Sequence, residues 1–161
     1  MRRMILPLML FVFAACQPAT MELTEEQKAE IAAEVNAIHT QFWDVWKEMD
    51  VDRGMAYYYN SPELVFGMDG QVLWGWDEGM EMSQSFATTA SGQVMNFAES
   101  RTTVLSADVV YITDQGTRAM IDMAGVTGPE LPFAFTAVWV LRDGEWKVHG
   151  AHGSNSLPEA P

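Results

Sequence analysis

The sequence predicts an α+β fold, with one long helix and two shorter ones placed ahead of a mostly antiparallel sheet. Three observations predict it. A long amphipathic segment starts at Thr24. The texture turns to β from Gln93 onward. Two Asp-Gly pairs, at 69–70 and 143–144, carry the positive-φ chemistry of two-residue hairpin turns.

Each element has its own signal. Thr24 and Gln27 have capping-box spacing, so a helix starts there. Ile31, Val35, Ile38, Phe42, Val45 and Met49 follow at intervals of three and four, on one helical face that Trp43 and Trp46 widen. A second, short helix is expected over Asp52 to Tyr59, ended by Asn60-Ser61-Pro62. Leu64 to Met68 and Gln71 to Trp74 read as strands joined by Asp69-Gly70. Asp77 is expected to cap a third helix running to about Thr89.

Four further strands are expected, over Val94–Leu105, Val109–Ala124, Leu131–Leu141 and Glu145–Ser154. The second should break near Asp114-Gln115-Gly116. With Asp143-Gly144 as its loop, a regular last hairpin sets Leu141 opposite Trp146, Trp139 opposite Val148, Ala137 opposite Gly150 and Phe135 opposite His152. Strand alternation then puts Phe133, Phe135, Trp139, Leu141, Trp146, Val148, His152 and Ser154 on one face. That face is too aromatic to be bare, so the helices should cover it.

The N-terminus reads as an export signal. Arg2 and Arg3 precede an apolar run from Ile5 to Ala15, which is shorter than the roughly 20 residues a spanning helix needs. The run stops at Cys16, the single cysteine. Phe13-Ala14-Ala15-Cys16 resembles the lipobox of bacterial lipoproteins, with Phe13 where leucine is usual. The resemblance implies lipidation of Cys16; the alternative is an ordinary cleaved signal with an unmodified thiol. The expected organisation is a signal peptide over 1–15, a tether over 16–23, one domain over 24–156 and a flexible tail over 157–161. Residues 17–23 reach about 25 Å when extended, which would hold the domain close to its membrane. Gln17 after the cysteine, rather than aspartate, favours the outer membrane of the cell envelope under the enterobacterial sorting pattern.

Charge narrows the partners. The chain carries 22 acidic against 9 basic residues, a formal net charge of −13. Such a surface disfavours nucleic acid and anionic lipid, which both need basic neutralisation. Six tryptophans and twelve methionines imply a large core or an apolar pocket.

The closing residues resemble a family. Thr136-Ala137-Val138-Trp139, Arg142-Asp143-Gly144-Glu145-Trp146-Lys147-Val148, then His149, His152 and Ser154, are similar to the ending of SnoaL-like domains of the nuclear transport factor 2-like superfamily. Asp50-Val51-Asp52, Leu64-Val65-Phe66 and Gly75-Trp76-Asp77-Glu78 add to the likeness. The resemblance covers roughly residues 25–156. It implies a cone-shaped curved sheet wrapped around the long first helix, a pocket at the open end, and homodimers paired through the sheet.

The same fold hosts isomerases, cyclases, dehydratases and binding modules, so chemistry must come from side chains. Ketosteroid isomerase chemistry needs an aspartate base and an oxyanion hole of tyrosine and protonated aspartic acid. At the corresponding places this chain has Phe42-Trp43, Phe66-Gly67-Met68 and Thr136-Ala137. His152 is the candidate proton shuttle on the inward face, or else a hydrogen-bonded core histidine. Asp122 is a candidate pocket carboxylate, or an outward residue. Glu99 and Arg101 read as a surface ion pair, and His39 as a packing residue at the edge of the first helix. No metal or cofactor is expected: His149 and His152 lie three apart on a strand, Asp50-x-Asp52 lacks the glycine of a calcium loop, and no phosphate-binding glycine motif occurs.

Three readings follow. The first is an exported, membrane-tethered domain that binds a small apolar or aromatic molecule in a pocket lined by Trp43, Phe66, Trp139 and His152. The second is an isomerase, cyclase or lyase using His152 or Asp122. The third is a dimeric interaction module of the cell envelope.

Overall fold

A computed structural model describes residues 22–156. The signal peptide, Cys16 and most of the tether lie outside the described residues, as does the tail over 157–161. The element order is α1 (Glu25–Lys47), α2 (Val51–Met55), β1 (Val65–Met68), β2 (Gln71–Trp74), α3 (Gly75–Ala87), β3 (Ala90–Ser106), β4 (Val109–Asp122), β5 (Leu131–Arg142) and β6 (Glu145–Asn155). The six strands form one curved, unclosed sheet in the order β2-β1-β6-β5-β4-β3. Every pairing is antiparallel except β1 with β6.

Local chemistry explains most boundaries. Thr24 and Gln27 make the reciprocal capping box that opens α1. The α1 face that carries Val35, Phe42, Trp43 and Val45 is buried. Phe42 meets Phe135 and Trp139 of the sheet at ring-centroid distances of 5.8 Å. Burying one such ring stabilises by about 1.5–3 kcal/mol, so this aromatic seam fixes α1 in the concavity. Asp69 and Asp143 adopt φ 48° and 53°, followed by Gly70 and Gly144 at 85° and 82°, as the hairpin chemistry requires.

Several expectations are corrected. Helix α2 begins at Val51, capped by Asp50, and ends at Met55. Helix α3 starts at Gly75, not beyond Asp77; Glu78 reaches back to accept from the Trp74 N–H at 2.8 Å. Strand β4 runs unbroken through Asp114-Gln115-Gly116. Gly116 serves a close approach at a β3 bulge between Phe97 and Glu99, where an added Cβ would stand 1.9 Å from the Asn96 carbonyl oxygen.

The last hairpin also departs from regular register. Trp139 faces Val148 as expected, but the next pair is Val138 with Gly150, so His149 bulges. Thr136, not Phe135, therefore faces His152, and Ala134 faces Ser154. The cause is a change of neighbour. Val148 exchanges backbone hydrogen bonds with Tyr57 and Tyr59, whereas Gly150 to Gly153 pair with β1. The bulge at His149 lets β6 serve both, and the His149 ring packs against Tyr59 at 5.8 Å.

Candidate functional site

The bulge inverts the face of every β6 residue beyond it. Ala151 and Gly153 turn inward and are buried, while His152 is exposed on the other face. Its ring covers Gly67 of β1, where a Cβ would meet His152 Cδ2 at 2.7 Å. His152 is therefore neither a core histidine nor a cavity group. Asp122 is exposed at the end of β4, and its Oδ1 accepts the backbone N–H groups of Ala124 and Val126 at 2.8 and 2.9 Å. That carboxylate shapes a turn. Trp139 is fully buried, edge-on to His39 and Phe42, and belongs to the core rather than to a pocket wall.

A small cavity of about 60 Å³ lies between α1, α3 and the concave sheet face. Phe42, Trp43 and Trp46 line it from α1, and Met82, Ser83 and Phe86 from α3, both sets at helical spacings of one and four. Phe66 and Met68 reach it from β1 and Phe133 and Phe135 from β5, two residues apart as one strand face demands. Tyr58, Gln93 and Arg118 complete the wall. Of the four residues named from the sequence for a pocket, Trp43 and Phe66 line this cavity. Trp139 and His152 do not.

The cavity's polar groups are few. Gln93 is 7% exposed; its Nε2 donates to the Trp46 carbonyl at 2.8 Å, and its Oε1 is buried with no hydrogen-bond partner. The Trp46 indole N–H is also buried without one. Burial pushes the Tyr58 hydroxyl far above its ordinary pKa, so it remains protonated and can donate. Arg118 holds its guanidinium over the Phe133 and Phe86 rings, 5.0 and 5.6 Å from their centroids. Among the described residues, no His, Asp or Glu lines the cavity. The wall can grip and orient a ligand, but it presents no imidazole or carboxylate to take a proton.

Beyond Arg118 the cavity adjoins a wide groove of about 730 Å³, bordered by Asp69, Met120, Pro129, Leu131 and His152. Arg118 lines both spaces.

The buried polar centre of the protein lies elsewhere. His39 and Asp114 are 5% and 3% exposed, with His39 Nε2 2.7 Å from Asp114 Oδ2. Trp43 Nε1 donates to the same oxygen at 3.0 Å. Burial works against the Asp114 carboxylate, but hydrogen bonds from His39, Ser100 and Trp43, with the charge of His39, outweigh it and hold its pKa below 3.8. Neither His39 nor Asp114 lines the cavity. The sequence reading missed this pair. Its available signal was a histidine four residues before Trp43 on a buried aromatic face, which demands a polar partner.

The family model for the SnoaL-like domain matches residues 35–158. The chain belongs to the SnoaL-like family. No curated protein matches it. A nuclear transport factor 2-like protein from Salmonella enterica has a similar structure, with TM-score 0.69 and 15% identity over 82% of this chain and 95% of that one. A candidate dehydratase of the same superfamily from Streptomyces avermitilis aligns with TM-score 0.69 and 15% identity, covering 81% and 99% of the two chains. A candidate scytalone dehydratase from Novosphingobium aromaticivorans gives TM-score 0.70 and 9% identity, over 83% and 89%. At such identities the likeness is one of fold.

Proposed function

We propose that this SnoaL-like domain binds a small apolar or aromatic molecule in the cavity between α1, α3 and the sheet. The observation that carries the reading is the cavity itself, whose aromatic and thioether walls surround a buried Gln93 with an unpartnered carbonyl oxygen. Ligand sites are mostly apolar with a few placed polar groups. Drug-sized sites enclose roughly 300–1,000 Å³ and a cavity of about 150 Å³ holds one benzene ring, so a cavity of about 60 Å³ takes a short chain or one edge of a single ring, with the rest of the ligand outside it. Trp43 and Trp46 both line it, so tryptophan emission reports on occupancy. Titration with a panel of single-ring and short-chain compounds should shift that emission saturably. A flat response across the panel defeats the reading.

An isomerase, cyclase or lyase using His152 or Asp122 gains less support, because both side chains stand outside the cavity.

The domain works, in this proposal, as an exported protein held at an envelope membrane by lipid on Cys16. The Arg2-Arg3 flank, the short apolar run and its stop at Cys16 support that anchor. Among the described residues no helix is long and apolar enough to cross a membrane. Intact-mass measurement decides it: an unmodified Cys16, or an N-terminus elsewhere, ends the claim. A homodimer through the sheet is supported by exposed Leu105 and Tyr111 on β3 and β4 and is tested by sedimentation.

A further inference from the structure

We infer that the ligand is a small carboxylic acid, its apolar body in the cavity and its carboxylate on Arg118; this rests on the cavity being a ligand site. The argument begins with charge. Of the basic residues in the described part of the chain, Lys28, Lys47, Arg53, Arg101 and Lys147 each lie within 4 Å of a carboxylate. Arg142 is exposed at a hairpin tip. Arg118 is half-buried and, among the described residues, makes no ion pair or side-chain hydrogen bond. With 22 acidic residues in the chain, a partly buried guanidinium left without one is a position held open.

The geometry says where an anion would come from. Burial acts against the Arg118 charge, and among the described residues Asp69 supports it through space. The Asp69 carboxylate is already committed, accepting the Asn155 backbone N–H at 2.7 Å and its side-chain amide at 2.8 Å. The guanidinium meanwhile rests over Phe133 and Phe86, which also wall the cavity. Stacking of this kind fixes the planar fork and leaves its N–H edge for a carboxylate, which a guanidinium matches two bonds at a time. Because Arg118 borders both cavity and groove, an acid can enter from the groove ring-first or chain-first and leave its charged end at the mouth. Net charge opposes this: a protein at −13 repels anions in bulk, so recognition must be local to a partly dehydrated Arg118. Gln93 Oε1 then offers an acceptor for a hydroxyl on the ligand's buried end.

The test is calorimetric titration of the full-length protein with benzoate, 4-hydroxybenzoate, phenylacetate and hexanoate, each against its neutral amide. At least one acid should bind tenfold or more tightly than its amide. Arg118→Gln should abolish that preference by weakening the acid at least tenfold more than the amide, and Arg118→Lys should keep part of it. Amides that bind as well as their acids, or an acid preference that survives Arg118→Gln, overturn the carboxylate assignment and leave the cavity reading standing. Binding of neither set overturns both. Should Arg118→Gln unfold, the acid-to-amide ratio in Arg118→Lys decides, because a stacking role alone would leave that ratio unchanged.

Discussion

His39 of α1 and Asp114 of β4 meet 75 residues apart in sequence, Nε2 to Oδ2 at 2.7 Å, inside an aromatic cage. The ionised Asp114 carboxylate can only accept, so the His39 nitrogen facing it, Nε2, carries a hydrogen, and Oδ2 accepts from Trp43 as well. The arrangement clamps the long helix to β4, one strand in from the sheet edge.

The pairing makes stability depend on acid pH. The folded Asp114 carboxyl titrates below its ordinary 3.8, so its contribution is complete above that value and is lost as pH falls through the folded pKa. Asp114→Asn keeps the shape but removes the charge, and should cost about 1.5–3 kcal/mol at neutral pH, the range for hydrogen bonds to charged groups. The gap between wild type and Asp114→Asn should close as pH drops below 3.8. Urea denaturation at several pH values measures it; a gap independent of pH would show that the charge contributes nothing. His39→Leu strands a buried carboxylate and should cost more, about 3–5 kcal/mol.

Gly116→Ala should be among the most damaging single-methyl additions in this chain. The new Cβ would meet Asn96 backbone oxygen at 1.9 Å and Phe97 Cα at 2.8 Å. Those are backbone atoms and cannot rotate aside, so β3 and β4 must part at the bulge. A loss at or above the roughly 3 kcal/mol upper range for overpacking is expected. Loss of soluble folded protein, or a large fall in thermal midpoint, would be the readout; a near-neutral variant would contradict the geometry.

Much of the fold was legible because its signals are local. The α1 capping box, its apolar spacing and the two Asp-Gly turns each act within a few residues. What failed were features decided at a distance. Gly116 resembles a turn residue in sequence, yet its role comes from a bulge on the opposing strand. The β6 register follows from which segments pair with it, the Tyr57–Tyr59 stretch before His149 and β1 after it. One bulged residue there exchanged the faces of His152 and Gly153, and with them the candidate proton shuttle. Trp43 and Phe66 line the cavity from a helix and a short strand whose periodicity contains no such shift.

His152 and Asp122 lend themselves to a paired test of that inversion. His152→Ala should change stability by less than about 0.5 kcal/mol, as an exposed substitution does. Asp122→Ala removes an acceptor for two turn N–H groups and should cost about 1 kcal/mol. Hydrogen exchange at Ala124 and Val126 should quicken in that variant. Neither change should alter ligand-induced tryptophan emission; a lost response in either would return that residue to the site.

Gly54→Ala sets two effects against each other. In α2 the exchange gains helix propensity, about 0.5–1 kcal/mol in a full helix and less in a helix of five residues. Against this, the new Cβ would stand 2.7 Å from Trp46 Cε2 and 2.8 Å from Cζ2. The indole cannot easily retreat, since its ring packs edge-on to Phe42 at 6.2 Å and Tyr58 at 6.3 Å. Overpacking costs typically 1–3 kcal/mol, so it should win by about 1 kcal/mol. The denaturation midpoint should fall with the slope unchanged, because the same surface is still exposed on unfolding. Trp46 also walls the cavity, so its displacement should weaken binding of any single-ring ligand in the same variant. A stabilised Gly54→Ala protein would mean that the Trp46 ring moves freely and that the cavity wall is softer than its packing implies.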